Sequence, residues 1–108
     1  MPKTNSRAIS KLLEAHKILK KQGRSADTSA GQAFALDLVR HLETGKPGIV
    51  TIGEQSYPFK PADVRVSKTR VTLGKVEIGL TTLQDGEDGE YSAFITEESA
   101  PLRLQQAA

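Results

Sequence analysis

Residues 42–52, LETGKPGIVTI, contain the point at which the hydrophobic pattern of the chain changes. Before this point, apolar residues recur every three or four positions, as they do along one side of an α-helix. Gly45 and Pro47 end that pattern, since glycine commonly follows a helix and proline cannot continue one. From Ile49 onward the pattern has the period of a strand. Because helices and strands are segregated, the sequence predicts an α+β protein. We expect two N-terminal helices packed on one face of a mainly antiparallel sheet of about five strands.

The residues before Gly45 predict two helices of different character. Residues 1–24 form a basic amphipathic helix, which Asn5 or Ser6 can cap. At about 100° per residue, its apolar side carries Ala8, Ile9, Leu12, Leu13, Ala15, His16 and Leu19. Residues 27–45 contain the core helix, whose wider apolar face predicts packing on more than one side. That face comprises Phe34, Ala35, Leu38, Val39 and Leu42, with Ala33 and Leu36 extending it.

Residues 49–98 predict antiparallel strands and hairpins. Val71 and Leu73 occupy odd positions, whereas Val76, Ile78 and Leu80 occupy even ones, and a two-residue turn at 74–75 explains the change of phase. This turn pairs Leu73 with Val76 and Val71 with Ile78, although a bulge within one long strand is the alternative. A second hairpin follows around the acidic turn at 85–89. Residues 99–108 are weakly patterned and are predicted to be a tail.

Size and composition limit the class of protein. The 108 residues fit one domain, with a hydrophobic share of 37% and a charged share of 26%. The absence of cysteine excludes thiol catalysis, disulfides and thiolate metal sites. The longest apolar run, residues 33–36, is far too short for a signal peptide or a membrane span. We therefore expect a soluble, cytoplasmic protein with no membrane partner.

The charge is distributed unevenly along the chain. Residues 1–24 hold seven basic residues against one acidic residue, a net charge of +6, although the whole chain has only +2. Residues 84–108 hold six acidic residues against one arginine, a net charge of −5. A chain with one basic end and one acidic end orients in an electric field and can attract copies of itself.

The basic helix is the first candidate contact surface, for a protein partner or for nucleic acid. Regularly spaced cations favour a linear polyanion, because each neutralised phosphate releases counterions. Ile18 projects among the charged residues, where it suits a pocket on a protein better than a phosphate. The candidate contact residues are Lys3, Arg7, Lys11, Lys17, Ile18, Lys21 and Arg24.

The acidic turn is the second candidate surface. Its carboxylates do not have the spacing of a twelve-residue EF-hand loop, so we do not expect a calcium site. They would instead dock onto a basic partner or repel nucleic acid. The residues concerned are Asp85, Glu87, Asp88 and Glu90.

No residue pattern indicates catalysis. His16 and His41 lie on different helices without a third ligand or a nucleophile at a fixed spacing. We therefore expect neither an enzyme nor a cofactor or metal. The sequence predicts a non-enzymatic interaction or assembly protein that docks through its basic helical end and its acidic hairpin end. The alternative is a nucleic-acid-binding regulator that contacts phosphates through the basic helix.

Overall fold

The computed structural model describes residues 5–22, 29–85, 91–95 and 98–106. Within them the chain forms two helices followed by eight strands. The helices are α1 (Ser6–Gln22) and α2 (Ser29–Glu43). The strands are β1 (Gly48–Ile52), β2 (Gln55–Phe59), β3 (Val64–Ser67), β4 (Arg70–Leu73), β5 (Val76–Gly79), β6 (Leu83–Asp85), β7 (Tyr91–Ile95) and β8 (Glu98–Gln106). Short 3-10 turns, Pro61–Asp63 and Leu80–Thr82, precede β3 and β6.

The strands form two antiparallel sheets in the described part of the chain. The larger sheet has five strands in the order β2-β1-β8-β7-β6, and the smaller has three in the order β3-β4-β5. The α+β class, the N-terminal helices and the five-stranded antiparallel sheet are therefore confirmed. The strands predicted between residues 64 and 80 form a separate three-stranded sheet, and strand β8 lies where the sequence predicted a tail. Helix α2 packs against β6 and β8 of the larger sheet, whereas α1 packs against α2 and β3.

The hairpin between β4 and β5 has the predicted register. Leu73 pairs with Val76 and Val71 pairs with Ile78. Gly74 has a φ of 64° at the first turn position, a conformation that glycine adopts without a steric penalty. Two strands joined by this turn, and not a bulge in one strand, therefore account for the change of phase.

The residues predicted to be a tail form most of the longest strand instead. Strand β8 lies between β1 and β7, and Leu102, which is fully buried, pairs with both Ile52 and Tyr91. Pro101 is tolerated because its carbonyl accepts a hydrogen bond from Gly53 N–H at 2.8 Å, just beyond the end of β1. Its nitrogen faces the same side, so the missing N–H removes no bond from the β7 pairing.

The buried apolar residues of both helices and both sheets form one contiguous cluster. On α1 the buried stripe is narrower than predicted and consists of Ala8, Leu12, Ala15 and Leu19. Leu13, predicted on the apolar side, is 43% exposed, and Leu36, predicted to extend the α2 face, is 37% exposed. Leu13 and Leu36 are exposed because only the part of each helix surface that neighbouring elements cover is buried.

Candidate functional site

Asn5 fixes the start of α1 against the smaller sheet. Its side-chain oxygen accepts a hydrogen bond from Ala8 N–H at 3.1 Å, which is the N-terminal cap that the sequence predicts. Its side-chain amide donates to the carbonyl oxygens of Pro61 at 2.7 Å and of Val64 at 3.1 Å. One side chain therefore joins the first turn of the helix to the beginning of β3.

This joint creates a groove between α1 and β3 with cations on both walls. Arg7 and Lys11 come from successive turns of the helix, and Arg65 comes from the strand. All three side chains are exposed. The remaining lining residues are Asn5, Ala8, Ala62, Val64 and Val66. The helical cations of the sequence prediction thus face a basic residue that lies more than fifty positions further along the chain.

A second concavity continues from the groove across the β3–β4 hairpin. It is lined by Arg65, Val66, Ser67, Lys68, Thr69, Arg70, Thr72 and Glu77. Arg65 and Val66 line both concavities, so the two form one continuous surface. We call the five cations Arg7, Lys11, Arg65, Lys68 and Arg70 the basic surface.

Strand alternation explains why the hairpin cations point outward. Val64 and Val66 are buried, so Arg65 and Ser67 between and after them face the solvent. The strand register then places Arg65 beside Thr72, which in turn pairs with Glu77, and places Ser67 beside Arg70. The outer face of the small sheet is consequently polar and carries hydroxyl groups between its cations.

One acidic side chain enters this surface. Glu77 Oε1 lies 3.2 Å from Arg70 Nε, with both side chains more than half exposed. An exposed pair of this kind contributes about 1 kcal/mol at most, because water and salt screen it. Among the described residues that line the two concavities, Glu77 is the one carboxylate, so the surface keeps a strong positive excess.

The turn of the hairpin holds Lys68 in a left-handed conformation. Its φ is 56°, and it is the one non-glycine residue with a positive φ in the described part of the chain. That region costs a residue with a Cβ roughly 1–2 kcal/mol, which glycine would avoid. A lysine is therefore held at the tip of the hairpin although the backbone favours glycine there.

Three of the other predicted contact residues lie on α1 outside both concavities. Lys17 and Lys21 are exposed on α1 but line neither concavity, since Lys17 is rotated by about 120° from Lys11 around the helix axis. Ile18 is half-buried and is not surrounded by solvent. Lys3 and Arg24 lie outside the described residues.

The acidic candidates lie at or beyond the edge of the described chain. The backbone of Asp85 ends β6 and pairs with Tyr91. Glu87, Asp88 and Glu90 fall outside the described residues. Docking through the acidic hairpin therefore stays a prediction.

Arg65, Lys68 and Arg70 are the residues that the sequence analysis missed. The alternation around Val64 and Val66 does predict that Arg65 is exposed. No local pattern, however, could predict that β3 lies beside the first turn of α1. That placement depends on the Asn5 hydrogen bonds to backbone carbonyls 56 and 59 positions away.

The buried histidine belongs to the core. His41 is 7% exposed and its ring lies 5.4 Å from that of Phe59, between centroids. Burial lowers the pKa of His41 from its ordinary value, and hydrogen bonds to the backbone at Lys46 and Pro47 oppose that shift. Its Nε2 has no hydrogen-bond partner among the described residues. The ring packs where α2 meets Phe59 of the larger sheet.

Within the described residues, no three histidine, aspartate or glutamate side chains come together as a metal site. The helices of that part of the chain are also too short or too polar to cross a membrane. No protein-family model, no curated protein and no solved structure matches this chain. The basic surface is therefore the feature from which a function can be argued.

Proposed function

We propose that this protein is a non-enzymatic nucleic-acid-binding protein that contacts phosphates through the basic surface. The observation that supports the proposal is the convergence of five cations from α1 and the β3–β4 hairpin on two adjoining concavities. Phosphate groups are strong acceptors for arginine, whose planar guanidinium donates two parallel hydrogen bonds. The sequence alone favoured protein docking, but it placed only the helical cations.

The hydroxyl groups of the surface fit the same ligand. Ser67, Thr69 and Thr72 lie between the cations, and serine and threonine commonly donate to phosphate and sugar oxygens. Such contacts fix the position of a protein on a nucleic acid without reading bases.

Fluorescence anisotropy of a labelled DNA oligonucleotide, titrated with protein at several salt concentrations, tests the proposal. Contacts to three to five phosphates give a slope of log affinity against log salt between about −3 and −4.5 on a duplex. Lys11→Glu should weaken binding and reduce the size of that slope by about 1.

Lys17→Glu is the matched control, because it makes the same charge change on the same helix outside the concavities. Equal losses for the two variants would mean that only net charge matters. No binding by the unaltered protein at low salt would contradict the proposal.

Assembly with a protein partner, or with further copies of the chain, is a second candidate function. The opposite net charges of residues 1–24 and 84–108 favour it, as does the exposure of Leu13 and Leu36 on the two helices. Light scattering at low salt measures the particle mass. Joint reversal of Asp85, Glu87 and Asp88 should return a charge-driven assembly to monomers.

A further inference from the structure

The basic surface lacks the side chains on which single-stranded nucleic acids stack. Proteins that bind single strands combine a basic groove with aromatic rings that stack on successive bases. None of the residues lining the two concavities is aromatic. Phe34, Phe59 and Tyr91 are buried, Tyr57 packs against the core, and Phe94 belongs to β7 of the other sheet. The chain contains no tryptophan and no further tyrosine or phenylalanine.

The backbone positions that carry the cations are also fixed relative to one another. Strand pairing holds Arg65 and Arg70, the Asn5 hydrogen bonds hold the first turns of α1, and both elements contribute to one core. This arrangement suits a ligand whose phosphates are themselves fixed, because neither the backbone of the protein nor that of the ligand then has to be ordered on binding. A duplex has such phosphates, whereas a flexible single strand must be ordered when it binds.

We infer that the ligand of the basic surface is double-stranded nucleic acid, bound through its phosphate backbone. This inference rests on the proposed function and specifies the class of ligand. The high charge density of a duplex also increases counterion release per contact, since the slope is about −0.9 per phosphate for duplex DNA and about −0.7 for single strands.

A comparison of two labelled probes at the same low salt concentration tests the inference. One probe is a short DNA duplex and the other is an oligothymidylate of the same strand length, which forms no pairs. We expect the duplex to bind at least about tenfold more tightly, because the single strand gains no stacking energy on this surface. Equal or tighter binding of oligothymidylate would overturn the inference and leave the proposed function in place. Absence of binding to either probe would overturn both.

Two exposed single substitutions locate the binding. Arg65→Glu alters the residue that lines both concavities and should weaken duplex binding at least about tenfold, since it removes one phosphate contact and adds a repulsive charge. Lys75→Glu makes the same charge change at an exposed residue of the β4–β5 turn, which lines neither concavity. Equal effects of the two variants on duplex affinity would overturn the assignment to this surface.

A further substitution tests the stacking argument itself. Thr72 lies on the outer face, between Arg65 and Glu77 in the strand register. Thr72→Tyr places a ring there and should raise the affinity for oligothymidylate about fivefold or more, while duplex affinity changes little. An unchanged single-strand affinity in a folded variant would show that the missing ring is not the cause of the preference, and it would contradict this argument.

Discussion

The larger sheet with α2 and the smaller sheet with the first turns of α1 use their polar residues in different ways. In the first region, the hydroxyl of Tyr91 donates a hydrogen bond to Asp37, and the Tyr91 ring meets that of Phe34 edge-on with centroids 5.3 Å apart. These polar groups contribute to packing. In the second region, Arg65, Lys68 and Arg70 are exposed.

Polar residues of the first region stabilise the fold, whereas the exposed cations of the second region are not needed for folding. A buried hydrogen bond contributes about 1 kcal/mol to stability, whereas exposed charges usually contribute little. Substitutions in the first region should therefore change stability, and substitutions of the basic surface should change binding.

Gly31→Ala should have the largest effect on stability. A Cβ at this position of α2 would lie 2.3 Å from the carbonyl oxygen of Leu80, so the backbone itself would have to move. We expect a loss of about 3 kcal/mol in the free energy of unfolding, measured by denaturant titration. Gly79→Ala is the control, since its Cβ would meet only the Thr82 side chain at an ordinary 3.6 Å. Equal stability of the two variants would refute the close approach of α2 to the 3-10 turn at Leu80–Thr82.

Asn5→Ala should affect both regions. It removes the cap of α1 and leaves the carbonyls of Pro61 and Val64 without these hydrogen bonds, which should cost about 2 kcal/mol. Because Asn5 aligns Arg7 with Arg65, duplex affinity should fall as well. Ser6→Ala, at the exposed first residue of α1, should leave both measurements nearly unchanged. A loss of stability without a loss of duplex affinity would show that the position of α1 set by Asn5 does not matter for binding, and it would contradict this prediction.

Acidification should lower the stability of the protein through His41, which lies in the region of α2 and the larger sheet. Below pH 6.5, the ordinary pKa of histidine, the unfolded chain binds a proton at this residue. The lowered pKa means that the folded chain binds this proton only at a lower pH. The contribution of His41 to the free energy of unfolding is therefore complete above pH 6.5 and is lost as the pH falls below 6.5. One proton accounts for at most about 1.4 kcal/mol per pH unit.

His41→Leu provides the comparison for this effect. Denaturant titrations of both proteins between about pH 5 and pH 8 should show a smaller loss on acidification for the variant, because leucine binds no proton. Parallel stability curves for the two proteins would disprove the role of His41.

Lys68→Gly should have the smallest effect and should change stability and binding in opposite directions. Glycine adopts the φ of 56° without strain but enlarges the freedom of the unfolded chain, so the net gain in stability should be about 0.5–1 kcal/mol. The loss of one cation should nevertheless weaken duplex binding and reduce the salt slope by about 1. Unchanged affinity would show that Lys68 does not contact the ligand.

Elements whose signals are local can be predicted from the amino-acid sequence without the tertiary structure. The change of hydrophobic period near Gly45 predicts the α+β class, and Gly74 with the alternation around it predicts the β4–β5 register. Asn5 can be predicted as a helix cap because the N–H group that donates to its side-chain oxygen lies only three residues away. Hydrophobic patterns with a period of two or 3.6 residues involve residues that are close in the sequence. They can therefore be recognised without the tertiary structure.

The contacts between those elements, in contrast, depend on the tertiary structure. Strand β8 is central because β1 and β7 cover both of its edges, although the weak pattern of residues 99–108 predicts a tail. The basic surface exists because α1 packs against β3, where Asn5 also binds two carbonyls, so that Arg7 and Arg65 line one groove. Long-range contacts of this kind depend on how distant segments share one core, and no local pattern of residues specifies them.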